Sequence, residues 1–288
     1  MVRDVDWDVY NPMDQAVPPR QPQDDPNRYE RLPDGTLWIR AGSFSPDAAQ
    51  ARALDAMLER LAAERDVRRV VFDLRGNGGG DSRLGHRIFE AATGGLDMDT
   101  THMDALPRLQ ADWRVSDVAV ATFEEHIARF TARDGADSAA ARHAREMRDA
   151  MRSAQARGER WLIAWDGERH VDAAEATRRH AHLRKAVGRL AVLTDDGCAS
   201  ACLDMVDEVR RVPGALQVGE TTSADAVYID IGFVEMPSGN RLILPLKVWR
   251  NRVRGNNEAW VPDVALDLRR MAEAEIRAAA LAAIDRGR

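Results

Sequence analysis

The sequence predicts an α/β fold, a core of repeated strand-helix units interrupted by a mostly helical insertion, and three observations lead there. Short continuous apolar runs, "TLWIRAG", "RRVVFDL" and "GRLAVLTDD", have the length of strands buried on both faces. Stretches with apolar residues at helical spacing stand between and after them. A long segment, residues 96–184, leaves that rhythm and turns to Arg, Ala, Glu and His. A chain of 288 residues with 44% hydrophobic content can bury a core of this kind.

Taken in order, residues 11–33 are rich in proline and polar groups and read as an irregular linker or wrapping arm. Order begins at "DGTLWIRAG", a strand. Residues 47–64 follow as a helix, "RRVVFDL" as a buried strand, and residues 82–92 as a helix opening from a glycine run. Within the insertion, "DSAAARHAREMRDAMRSAQARGER" fits a surface helix, and only "RWLIAWDGERH" interrupts the helical pattern, as a hairpin. The strand rhythm resumes at "GRLAVLTDD", with a helix over about 200–211. Strands follow at "ALQVGE", "AVYIDI", "GFVEM" and "NRLILPLKVWR", with a Pro-Ser-Gly turn at 237–239 and a last helix over about 271–286. The expected division is an N-terminal arm, 1–33, a core from 34–95 and 185–288, and an insertion, 96–184, that lids a cleft.

Composition narrows the function. Lys+Arg 41 against Asp+Glu 47 gives a net charge of −6, which argues against nucleic-acid partners. Lysine occurs only at Lys185 and Lys247, so a mechanism needing a lysine base has those two to draw on. The N-terminal "MVRDVDWDVYNPMDQ" has no apolar h-region, and no apolar run of about 18 residues occurs, so a soluble chain without a membrane span is expected. A periplasmic or secreted location stays open if Met1 is not the native start. Cys198 and Cys202 stand four apart, on one helix face and at the upper end of disulfide reach. We expect a pair of small buried thiols, with a disulfide as the alternative; two cysteines alone do not complete a zinc site, and no motif calls for a metal or cofactor.

Two stretches carry candidate chemistry. In "VVFDLRGNGGGD", Gly76, Gly78, Gly79 and Gly80 lie between a buried strand and a helix. Glycines there let backbone amides approach a ligand, and the helix N-terminus favours negative charge. The loop lacks the Lys-Ser/Thr ending of a phosphate loop and the spacing of a dinucleotide fingerprint; an oxyanion hole or a plain turn fits it equally. In "TDDGCASACLDMVDEV", Ser200 starts a helix after a strand, as a cap or as a nucleophile. Asp73 and Arg75 read as a structural ion pair, and Asp195 and Asp196 as shapers of the turn before Ser200.

The ordered set "GSFSPD", "VVFDLRGNGGG", "LAVLTDDGCASACLDMVDEV", "ALQVGETTSAD" and "AWVPDVALDL" resembles the tail-specific, or C-terminal processing, serine peptidases, which share a fold with the crotonase and Clp protease group. The likeness covers roughly residues 35–95 and 187–268. It implies a crotonase/ClpP-like core, a peptide or protein substrate, Ser200 as nucleophile, and oxyanion amides from Gly78 or Gly79 with Ala201. It also exposes a departure: the family's catalytic lysine falls on Asp225. A carboxylate is a poor base for a serine unless its pKa is raised. Relatives resembling the tricorn protease use a histidine from upstream of the core, supported by a serine and a glutamate; this chain offers no histidine before His86, the one nearest the glycine loop, and Glu258 corresponds loosely to the acidic residue, with Lys247 the other candidate base. The rival expectations are a degenerate peptidase that binds peptide without cutting, thioester chemistry on the same fold, and a base supplied by a second chain.

Overall fold

A computed structural model describes residues 26–94, 107–165, 189–212 and 214–286, with residues 172, 174, 175 and 178 besides. Most of the predicted arm (residues 1–25), His102, His170, His180, His182 and Lys185 lie outside the described residues.

A six-stranded sheet forms the centre, with strands in the order β1 (Asn27–Arg31), β2 (Thr36–Ala41), β3 (Arg69–Asp73), β6 (Arg189–Thr194), β7 (Leu216–Gly219) and β12 (Val264–Ala265). All neighbours pair in parallel except β1, which runs antiparallel to β2. β1 corrects the reading of residues 11–33 as irregular. Its Tyr29 and Asn27 find partners in Glu64 and in the Ser43 carbonyl, tertiary contacts that proline content does not register.

The runs "VVF" and "LAVL" are apolar throughout because helices cover both faces of β3 and β6. One face carries α1 (Ala48–Ala63), α2 (Ser82–Thr93) and α5 (Ala201–Arg210), burying Leu54, Leu61, Phe72, Ile88, Val192 and Val206. α6 (Glu273–Arg286) covers the other through Ile276, Ala280 and Ile284 against Val71 and Leu193. Asp47 caps α1 in a reciprocal capping box with Gln50, and Asp81 caps α2, so both helix starts follow from the sequence.

A second sheet orders β5 (Trp161–Trp165), β4 (Gln110–Arg114), β10 (Arg241–Arg250) and β9 (Tyr228–Glu235), all antiparallel. Two expectations change here. β4 is a strand inside the stretch read as having no strand signal, and β5 pairs with it, the return limb of the expected hairpin lying outside the described residues; both then join β9 and β10 from beyond the insertion. "AVYIDI" and "GFVEM" are one strand, not two, because Gly232 continues the ladder. It is glycine because α3 (Asp117–Asp134) lies over it: a Cβ there would stand 2.7 Å from Val118 Cγ1. α3 packs with α4 (Ala139–Ala156) around Phe123, Met147, Met151 and Leu246. The predicted turn at 237–239 joins β9 to β10, with Gly239 at a φ of 81°.

Candidate active site

The site lies where two adjacent parallel strands, β3 and β6, end side by side. Leu74 N–H reaches the Leu193 carbonyl at 2.9 Å, and from there the glycine loop (75–81) and the serine turn (195–200) run on together. Asp195 ties them: one carboxylate oxygen accepts the Gly76 N–H at 2.7 Å and the other the Gly197 N–H at 3.1 Å. Below the loop Asp73 pairs with Arg75 at 2.6 Å and with Arg40 at 3.1 Å, the structural pair expected from the sequence. Burial opposes the charge on Asp73, but the hydrogen bonds and charges of Arg75 and Arg40 hold its carboxyl below the usual range.

Ser200 occupies the position before α5 with φ 54° and ψ −124°, and its hydroxyl makes no capping hydrogen bond. Of the two roles the sequence left open, capping is therefore not performed, although the helix starts there. A positive φ on a residue with a side chain costs roughly 1–3 kcal/mol and persists only where the surroundings impose it. The residue is exposed. Nucleophile elbows place their serine on a strained strand-to-helix turn of this kind.

The glycine loop is fitted to that turn. Gly79 has a φ of 103°, and a Cβ on it would lie 2.8 Å from both Ser200 Cβ and the Ala199 carbonyl oxygen and 3.2 Å from Ala201 N. Only glycine allows this approach. Its N–H, expected as an oxyanion donor, is instead taken by Asn77 Oδ1 at 2.8 Å, which narrows the candidate donors. Asn77 is fully buried and anchors its amide on the Ala41 carbonyl at 2.8 Å. Sequence reasoning passed over this residue; its signal was an asparagine inside a glycine run, where a side-chain amide can stand in for backbone partners. Gly78 is exposed, with open space where a Cβ would project. Among the described residues, neither Gly78 N–H nor Ala201 N–H donates a hydrogen bond.

The candidate bases are all held elsewhere, and no described hydrogen bond joins any of them to Ser200. His86 reaches Glu208 at 2.7 Å and Glu90 at 3.3 Å on the exposed side of α2 and α5. Glu208 is eight residues beyond Ser200, about 12 Å along the helix axis. Lys247, on β10 in the second sheet, pairs with Asp230 at 2.5 Å and stands over the rings of Trp113 and Trp249. Asp225 does belong to a segment beside the serine turn, since Ser223 N–H donates to the Cys198 carbonyl at 3.1 Å. Its carboxylate, however, binds Arg252 at 2.9 Å and the fully buried guanidinium of Arg254, which Asp207 also holds. Glu258 faces Asp225 across the short ladder of β8 (Ala224–Asp225) and β11 (Glu258–Ala259) and accepts the Gly255 N–H at 2.6 Å.

Asp204, which the sequence reading did not single out, stands one turn along α5 from Ser200 and accepts the Ser82 hydroxyl at 2.6 Å. Burial pushes its carboxyl up; the Ser82 hydrogen bond counters this in part, and the nearby charge of Asp207 adds to it. Cys198 and Cys202 form a disulfide with α-carbons 5.4 Å apart, which corrects the expected pair of thiols. The non-helical backbone at Ser200 shortens the span below the roughly 6.2 Å of a regular helix, a change that residue spacing cannot reveal. Among the described residues no group of three or more His, Cys, Asp or Glu side chains is placed to hold a metal ion, and no helix is long and apolar enough to cross a membrane.

Residues 36–266 match the sequence model of peptidase family S41. The chain belongs to this family. Among solved structures, this S41 chain is similar to a lipoprotein from Streptococcus agalactiae at 14% identity and a TM-score of 0.46, over 90% of this chain and 70% of that one. Mature CPAF complexed with lactacystin gives 13% identity and a TM-score of 0.45, over 83% of this chain and 49% of that one. The photosystem II D1 C-terminal processing protease gives 15% and 0.40, over 86% and 50%. The S41 chain thus spans about half the length of the last two. Comparison with curated protein sequences gives no match.

Proposed function

We propose that this S41 chain is a serine peptidase that forms an acyl-enzyme on Ser200. In this reading Ser200 Oγ attacks the carbonyl carbon of a peptide bond. The resulting oxyanion is held by the N–H groups of Gly78 and Ala201, the C–N bond breaks as the departing amine takes up the proton that the Ser200 hydroxyl gives up, and water hydrolyses the ester and restores that hydroxyl. The observation that carries the proposal is the positive-φ Ser200, pressed against Gly79 with its hydroxyl uncommitted among the described residues. Gly79 contributes its missing Cβ rather than its amide; Asn77 and Asp195 hold the loop that presents Gly78. Incubation with a mixture of unmodified peptides, with mass-spectrometric detection of new termini, tests the reading: cleavage by the wild type and none by Ser200→Ala is expected.

A second reading is a protein of the same fold that binds peptide carbonyls without cutting them. The ion pairs of Asp225 with Arg252 and Arg254 favour it, because the position where the resemblance puts a lysine is committed to structure. Peptide retained equally by wild type and Ser200→Ala, with no new termini, would select this reading.

A further inference from the structure

Ser200 keeps a positive φ with only its carbonyl hydrogen-bonded among the described residues. Its hydroxyl caps nothing, and its N–H has no partner among the described residues. Its carbonyl accepts the Leu203 and Asp204 N–H groups on the helix side, and the other backbone bonds of the turn belong to its neighbours: Cys198 N–H to the Asp195 carbonyl, Ala199 N–H to the Asn77 carbonyl and Cys202 N–H to the Ala199 carbonyl. What spans the serine from both sides is the Cys198–Cys202 bond, with both residues fully buried against the helix layer. Cys198 also accepts the Ser223 N–H through its carbonyl, so the same residue carries the neighbouring segment toward Asp225.

We infer that the Cys198–Cys202 disulfide is a positioning element for the nucleophile, holding Ser200 in its strained conformation against Gly79. The inference rests on the reading of Ser200 as nucleophile only for its catalytic consequence, not for its structural one. A regular helical turn would set the two α-carbons about 6.2 Å apart; the observed 5.4 Å is reached with Ser200 out of helical geometry. Once the bond is broken, residues 198–202 are free to relax toward ordinary helix, which withdraws the hydroxyl from the Gly78 and Ala201 amides. Reduction cleaves the S–S bond and leaves two thiols. With a phosphine as reductant, the two electrons come from phosphorus, which becomes the phosphine oxide with an oxygen from water. Because the sulfurs are buried, the reagent acts only as the turn opens, and alanine substitution avoids that step.

The experiment compares wild type, phosphine-treated wild type and Cys198→Ala/Cys202→Ala by two readouts. One is the rate of labelling by a fluorophosphonate, followed by intact mass; the other is amide hydrogen exchange of peptides covering 195–204, with far-UV circular dichroism as a check on folding. The expected result is labelling slowed about 100-fold, the effect of a small displacement of a reacting atom. Exchange in 195–204 should speed up on the order of tenfold or more while β3 and α1 keep their protection. If the double variant does not fold, the phosphine-treated protein supplies the comparison. Unchanged exchange in 195–204, or labelling as fast as wild type, overturns the inference. Wild type that never labels while exchange speeds up in the variant would instead refute Ser200 as nucleophile and leave the positioning role standing.

Discussion

Gly79 lies so close to Ser200 that a side chain on it would bring two β-carbons within 2.8 Å of each other. The glycine loop and the serine turn are therefore one unit, each shaped to admit the other.

Substituting Gly79 tests that unit. Gly79→Ala places a Cβ against Ser200 Cβ and the Ala199 carbonyl on a backbone with φ 103°, where side chains are strained. We expect a stability loss of about 1–3 kcal/mol by urea unfolding and loss of Ser200 reactivity. Gly78→Ala, facing open space, is expected to fold as wild type.

Asn77→Ala removes the acceptor of the Gly79 N–H and the donor to the Ala41 carbonyl, both in a buried setting. Unpaired buried groups cost about 1–3 kcal/mol each, so the unfolding midpoint should drop clearly. Urea denaturation that leaves the midpoint in place would show that Asn77 is not the support we describe.

Asp204 and Asp73 should give opposite pH signatures. The Asp204 carboxyl is raised, so the native state keeps a proton that the unfolded chain releases; this stability is present in acid and lost as pH rises through the raised value. Asp204→Asn still accepts from Ser82 and should therefore raise Tm relative to wild type near about pH 7, with the gain vanishing towards about pH 4. The Asp73 carboxyl is lowered, so its contribution is present above the unfolded value and lost as pH falls through the folded one. Asp73→Asn should lower Tm at neutral pH, and that deficit should shrink in acid. Thermal melts across pH read both.

Asp225→Ala leaves the fully buried Arg254 with Asp207 as its remaining partner. Removing one member of a buried ion pair costs about 3–5 kcal/mol, and the second carboxylate places this case at the lower end. Denaturant unfolding should show a loss of about 3 kcal/mol; no loss would reopen Asp225 as a free carboxylate in the site.

How much of this could be read beforehand differs by element. β3, β6 and β10 were legible because each is an apolar run of strand length, and α1 and α2 because their caps and periodicity agree. β4 was not: Gln110–Arg114 alternates weakly, and its strand state comes from pairing with Lys247–Arg250, far along the chain. At the site, the glycine loop and Ser200 were visible as residue types at a strand-helix junction. The bonding of the Gly79 amide to Asn77, the capture of Asp225 by two arginines and the disulfide were not, since each depends on a backbone conformation or a long-range contact that spacing does not encode. His86 and Lys247 were candidates by residue type, and Glu208 from α5 holds the first while Asp230 across the β9–β10 hairpin holds the second.

The most direct test of Ser200 as an activated nucleophile is intact-mass analysis after exposure of the oxidised protein to a fluorophosphonate. The account predicts one adduct on wild type, mapped to Ser200, and none on Ser200→Ala with the fold preserved by circular dichroism. Folded wild type that takes up no label, or a label that persists in Ser200→Ala, would contradict it.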